Sequence, residues 1–294
     1  MSTKKRAETR TALLFAAPWI LGFFIFLLYP LASSLYYSFC DYSVLKDPVW
    51  IGGANYQGLF ADELFWTTLG NTLFYAAIAL PLGMVVDLGL AMLLNTKVRG
   101  QTVYRTIFFL PSLVPMVSLA VLWLWMFNTE PGLISQTLRR TGLPVPNWLT
   151  DPLWAKPALI LMGVWGMGNA MVIYLAGLQD VPTSLYEAAD LDGAGPWRKT
   201  RNVTLPMISP VILFNLIMGI IGTLQIFTVP YVMFPNGSPA RSTYFYTTYL
   251  FDNAFKYHKM GYASAMGWIM FLIILALTLL SLRLSDKYVH YGGG

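Results

Sequence analysis

Residues 179–206 read QDVPTSLYEAADLDGAGPWRKTRNVTLP, a polar stretch set between two long uncharged runs, 157 to 179 and 202 to 240. It carries more local structure than a connector requires. Ser184 followed three residues later by Glu187 is a capping box, which predicts a helix starting at Leu185. Gly193 fits a left-handed stop. Gly195 with Pro196 restarts a helix, because proline suits the first helical position and glycine the one after the last. Two short helices joined by an elbow follow, with Arg198, Lys199 and Arg201 nearest the next apolar run. The small Ala188 and Ala189 beside Tyr186 leave a face that a partner can approach closely, and Asp190 and Asp192 offer hydrogen-bond acceptors.

Outward from this loop the chain is mostly apolar. Of its 294 residues 56% are hydrophobic and 11% charged, against about a quarter charged in an ordinary soluble domain. That is too little polar surface to cover a core in water. Uncharged runs cover 11 to 40, 64 to 86, 106 to 129, 157 to 179, 202 to 240 and 260 to 282. Each can hold the ~20 residues a helix needs to cross about 30 Å of hydrocarbon. The fold class is therefore an all-α integral membrane protein with six transmembrane helices, near Ala12 to Tyr36, Trp66 to Leu94, Thr106 to Phe127, Pro157 to Leu178, Met207 to Phe234 and Met260 to Leu282. Lys4, Lys5 and Arg6 precede the first run, which at 30 residues exceeds a secretory signal's ~7–15-residue apolar region and reads as a retained helix. Domains follow as 1–10, an amino-terminal segment; 11–284, the six-helix domain, with the loop 179–206 inside it; and 285–294, a tail.

Lys and Arg set the orientation. With the amino terminus inside, 12 fall on that side and 7 on the other, so both termini and the loop 179–206 are predicted to be cytoplasmic. The net charge of +5 reflects this topology, and no basic stripe interleaved with aromatics points to nucleic acid. One cysteine, Cys40, cannot form an internal disulfide, and His258 and His290 belong to no metal-binding pattern.

Prolines within the spans (Pro81, Pro111, Pro115, Pro210, Pro230) free backbone carbonyls that lipid cannot satisfy, which predicts bent helices around a pathway. Trp19, Trp66, Trp148, Trp154, Tyr249, Tyr257 and Tyr288 near the span ends read as interface anchors. Polar residues inside spans are costly and mark candidates: Asn71, Asp87, Asn169, Asn215 and Gln225. Asn215, Gly219, Gly222, Gln225 and Val229 form one stripe on the fifth span, and Trp165 and Asn169 share a face of the fourth. An aromatic face beside amides suits a sugar ring and its hydroxyls, so Trp165, Asn169, Asn215 and Gln225 are the candidate substrate pathway. The plain alternative is that amides and small residues glue helices together. Asp87 is expected to pair with Lys97 or Arg99.

The loop resembles the EAA motif of membrane subunits of binding-protein-dependent ATP-binding-cassette importers. It has Glu187-Ala188-Ala189, Gly193 six residues after the Glu, and Leu205-Pro206 beyond; only Val203, usually isoleucine, departs. APWILGFFIFLLYPLASSLYYSF, RTIFFLPSLVP and GYASA extend the likeness over roughly 8 to 284 and are similar to the sugar-importer branch, the shorter relatives of the maltose permease's larger subunit. The resemblance implies a permease subunit forming half of a pathway for a carbohydrate or related solute in a bacterial or archaeal cytoplasmic (inner) membrane. Its implied partners are a second permease subunit, two ATPase subunits and an extracytoplasmic solute-binding protein. It also implies that the loop is the coupling helix, with Glu187, Ala188, Ala189, Asp190, Asp192, Gly193, Leu205 and Pro206 engaging the ATPase. The chain has no phosphate-binding loop of the Walker type, so it is predicted to be no enzyme and to hold no cofactor, with ATP and Mg on the partner ATPase. A self-contained secondary transporter or channel is the competing class. It needs ion-coupling groups and internal repeats, and Asp87 is the one acid in the spans. An intramembrane enzyme using histidine is disfavoured by spans without one.

Overall fold

A computed structural model describes residues 3–96, 99–166, 168–285 and 289, with backbone alone over residues 3–10. Four helices are long and apolar enough to cross a membrane: Thr11–Ser38, Glu63–Leu94, Ser209–Met233 and Met260–Ser285. Two bent pairs, Gln101–Leu113 with Met116–Met126 and Pro152–Trp165 with Gly168–Gln179, make six when each pair is counted as one span. Strands among the described residues are confined to one antiparallel hairpin, Cys40–Ser43 with Lys46–Trp50, which the sequence reading did not foresee.

The chain forms two units. The first comprises Met1–Glu63 and Leu250–Phe271. Its first span buries none of its most apolar window against the chain. The hairpin carries a cluster of rings, with Phe39 stacked on Trp50 at 5.5 Å and Tyr37 on Tyr42 at 4.3 Å. Asn55 ties it down, its Nδ2 donating to the Ser38 and Cys40 carbonyls at 2.9 Å each. Gly261, in the GYASA segment, packs here so closely that a Cβ would strike the Cys40 carbonyl and lie 3.0 Å from that of Tyr37. Gly261→Ala should therefore destabilise the protein by at least about 1–3 kcal/mol, since backbone cannot move aside as a side chain does. An unaltered melting temperature would contradict this packing.

The second unit comprises Leu64–Tyr249 and Leu272–Gly294. Along the helix Glu63–Leu94 a buried strip recurs every three or four residues: Phe65, Thr68, Thr72, Tyr75, Ala79, Gly83, Asp87, Ala91 and Leu94. It joins two cores. One gathers Tyr75, Trp123, Phe127, Trp148, Phe234 and Phe245; the other gathers Ala91, Leu94, Met171, Tyr174, Leu178 and Ile208 beside the loop 179–206. Trp148 and Tyr249 are thus buried residues and not interface anchors: Trp148 packs on Phe127 at 5.3 Å and Tyr249 on Tyr244 at 5.7 Å. Trp19, Trp66, Trp154 and Tyr257 are exposed as expected, and Tyr288 lies outside the described residues.

Several spans differ from their expected form. The third turns through 98°. Pro111 opens a 3-10 turn, and Pro115 forces Val114 into extended backbone before starting the next helix. Pro81 breaks nothing, and the 32-residue helix runs through it. The fourth span begins at Pro152 because Asp151 caps it, accepting from the Leu153 N–H at 2.9 Å. Lys156, inside this helix, places its ammonium 4.8 Å from the Phe74 ring centre. The fifth span stops at Leu224 and resumes at Thr228.

Candidate functional site

The loop folds as two short helices, though not by the expected start. Its first helix is Thr183–Leu191, with Pro182 before it and no side-chain cap. The Pro182 carbonyl accepts from the Leu185 N–H at 3.2 Å, so the turn begins ahead of Ser184 and leaves the capping box unused. The end is as read. Gly193 sits at φ +69°, with the Ala194 N–H on the Ala189 carbonyl at 2.9 Å and the Gly193 N–H on that of Asp190 at 3.0 Å. Together these make a Schellman stop. Pro196 opens the second helix, Pro196–Lys199, after Gly195.

Two links fix the loop to the spans. Tyr186 and Val203 pack on the core formed by Met171, Tyr174, Leu178 and Ile208, and the Tyr186 hydroxyl meets Thr204 Oγ1 at 3.0 Å. Lys199 pairs with Asp190 between the two helices. Glu187, Ala188, Asp190, Asp192 and Gly193 are exposed and Ala189 is half-buried. A cleft of about 430 Å³ runs beside them, lined in part by Leu185, Ala188, Ala189, Asp192, Arg198 and Lys199. Leu191 and Trp197 project at 92% and 76% exposure, apolar tips that sequence reasoning missed. Leu205 and Pro206 lie apart from this cleft. They line a separate groove of about 530 Å³ with Arg201, Ile212 and Leu284.

The four pathway candidates separate. The helix ends at Trp165 and restarts at Gly168, so Trp165 and Asn169 share no continuous helical face. A Cβ on Gly168 would lie 2.8 Å from the Phe108 carbonyl, a close approach that fixes this end of the second half-helix. Trp165 is exposed and meets Trp123 edge to face at 6.0 Å; Asn169 is exposed beside Ser112 Oγ at 3.5 Å. Gln225 is exposed at the C-cap where the fifth span breaks, which ends the expected stripe before Val229. Asn215 is buried, its Nδ2 donating to the Val211 carbonyl at 2.9 Å. Trp165, Asn169 and Gln225 thus all stand at interruptions of spans, where freed backbone groups need protein or water nearby. Asn71 is structural, donating to the Arg241 and Tyr244 carbonyls at 2.9 and 3.0 Å. Asp87 is buried without the expected pairing to Arg99, and Lys97 lies outside the described residues.

Residues 79–290 match the family described as binding-protein-dependent transport system inner membrane component. The chain is 38% identical to the probable ABC transporter permease protein YesP of Bacillus subtilis, covering 97% of this chain and 94% of that one. It is 35% identical to the sulfoquinovosyl glycerol transport system permease protein SmoG of Agrobacterium fabrum, covering 93% and 89%. Among solved structures, a chain of a bacterial ABC transporter involved in import of the acidic polysaccharide alginate superposes with a TM-score of 0.85 at 26% identity, over 98% of this chain and all of that one.

Proposed function

Because the chain belongs to the binding-protein-dependent transport system inner membrane components, we propose that it is the permease subunit of an ATP-driven importer and forms half of the pathway for a carbohydrate. The observation that carries the coupling role is the loop itself. Its two short helices present Leu191 and Trp197 to solvent, while Tyr186 ties the first of them to the span core. An exposed helix with apolar tips fits a helix-in-groove contact with an ATPase subunit, which would hold ATP and Mg. Glu187, Ala188, Ala189, Asp190, Asp192 and Gly193 form the docking face, and Leu205-Pro206 join it to the fifth span. Less than a third of the most apolar window of each of the four long spans is buried within the chain, and none of the first, which supports a second permease subunit packed alongside. The excess of Lys and Arg supports cytoplasmic termini.

A polyhydroxylated cargo is favoured by relatives named for sulfoquinovosyl glycerol and alginate. Trp165, Asn169 and Gln225 offer the ring face and amides it needs; Asn215, only 7% exposed, is assigned to the interior instead. Purification from the native membrane should bring down a second permease, an ATPase and a binding protein. Uptake of the sugar held by that binding protein should weaken in Trp165→Ala, Asn169→Ala and Gln225→Ala, by about 0.5–1.5 kcal/mol for each neutral hydrogen bond lost. Transport by this chain without partners would defeat the proposal, and unchanged uptake in all three variants would move the pathway elsewhere.

A further inference from the structure

Where the loop rejoins the spans, a groove of about 530 Å³ opens between the start of the fifth span and the end of the sixth. Ile212, Leu213 and Leu216 wall it on one side and Leu284 on the other, and all four belong to helices apolar enough to cross a membrane, Ser209–Met233 and Met260–Ser285. Leu216 stands seven residues after Ser209, about 10 Å along the axis, against about 15 Å for one leaflet of hydrocarbon. The groove therefore lies at acyl-chain depth. Its three serines do not make it polar, because Ser209, Ser281 and Ser285 donate their hydroxyls to the Pro206, Leu277 and Leu282 carbonyls at 2.6, 2.8 and 2.6 Å. With those donors spent, hydrocarbon suits the walls better than water does.

The end nearest the loop is different. Arg201 lines it and is exposed, and its guanidinium makes no ion pair or hydrogen bond among the described residues. No Asp or Glu is among the described residues that line the groove, and the neighbouring Lys199 is already paired with Asp190. Arg201 is thus the charge that the groove presents. A guanidinium offers donors in a planar fork that matches the oxygens of a phosphate, and a basic residue beside a cleft between spans suits an anionic headgroup. One occupant satisfies both ends: a phosphate joined to an acyl chain. A protein segment would have to bring its own carboxylate to Arg201, and a zwitterionic lipid would bring a second cation beside it.

We propose that this groove binds an anionic phospholipid, with the headgroup phosphate on the Arg201 guanidinium and one acyl chain along Ile212, Leu216 and Leu284. The site shares no lining residue with the cleft beside the coupling loop or with Trp165, Asn169 and Gln225. The test uses the assembled complex in detergent micelles supplemented with phosphatidylglycerol whose acyl chain carries a photoactivatable group. Illumination should label peptides within residues 205–216 and 281–289. Unlabelled phosphatidylglycerol should compete, and phosphatidylcholine should compete about 5-fold more weakly, as expected for one basic residue at the surface. Arg201→Gln should remove that difference, whereas Arg99→Gln, an exposed charge predicted on the same side that does not line the groove, should preserve it. Ser281→Trp should fill the groove and abolish labelling by either lipid, which keeps the proposal testable if the Arg201 variant fails to assemble. Equal competition by both lipids in the parent, an Arg99→Gln effect as large as that of Arg201→Gln, or unaltered labelling in Ser281→Trp would overturn it. So would protection of both segments together with a crosslink from a cysteine at Leu284 to another subunit, since a protein would then occupy the groove.

Discussion

Asn71→Leu is expected to release the segment that carries Arg241 and to speed its cleavage by trypsin about 30-fold. Asn71 holds two backbone carbonyls that are distant in sequence, those of Arg241 and Tyr244, and next to it Thr72 Oγ1 accepts from the Tyr246 N–H at 2.9 Å. Leucine keeps the volume and removes both donors. The Arg241 carbonyl keeps the Tyr244 N–H at 3.2 Å, so the cost is that of two lost hydrogen bonds at about 0.5–1.5 kcal/mol each, and a total of about 2 kcal/mol raises the population of a locally opened state about 30-fold. Right-side-out vesicles report it, because Arg241 is exposed and is predicted to lie outside while Arg198 lies inside. Cleavage after Arg241 at the parental rate would show that Asn71 does not hold this segment, and cleavage after Arg198 from outside would reverse the proposed orientation.

Gly193→Val is expected to lower uptake by about 5- to 30-fold while the spans remain inserted. At φ +69° a residue with a Cβ costs about 1–2 kcal/mol, and a β-branched one is among the least tolerant. No atom lies within 4 Å of the position a Cβ would take, so the penalty comes from the backbone alone. Gly193→Asn provides the contrast, because asparagine visits this region readily and should retain most uptake. Cysteines at Ala188 and in the ATPase groove should join in the parent and in Gly193→Asn, and poorly in Gly193→Val. Equal crosslinking and uptake in all three would remove the loop from the coupling path.

Six spans were legible because freedom from charge over 20 or more residues is a bulk property that tertiary packing does not alter. Their interruptions were not. Pro81 and Pro115 look alike in sequence, yet one lies within a 32-residue helix and the other starts a new helix after a 98° turn. A proline costs about 3 kcal/mol in a helix, and the long buried strip from Phe65 to Leu94 can outweigh that where a short helix cannot. The close approach of the Phe108 backbone to Gly168 is set by tertiary packing, which no local pattern encodes. Gly193 was readable since its left-handed stop is satisfied by its own neighbours. Ser184 misled for the same local reason: Pro182 begins the turn first. Asp87 was expected to face a base nearby in sequence, and instead faces the Met171 N–H on another span.

The attachment of Tyr186 makes the loop a short, stiff lever. It is anchored in the first half of the helix Thr183–Leu191, and Leu191 stands five residues, or about 7.5 Å, farther along the axis. A rocking of about 10° about that anchor moves the Leu191 tip by only about 1.3 Å. Close-packed side chains around Met171, Tyr174 and Ile208 leave little slack to absorb it. An arm this short and stiff would pass small displacements at its tip to the ends of the second, fourth and fifth spans with little loss.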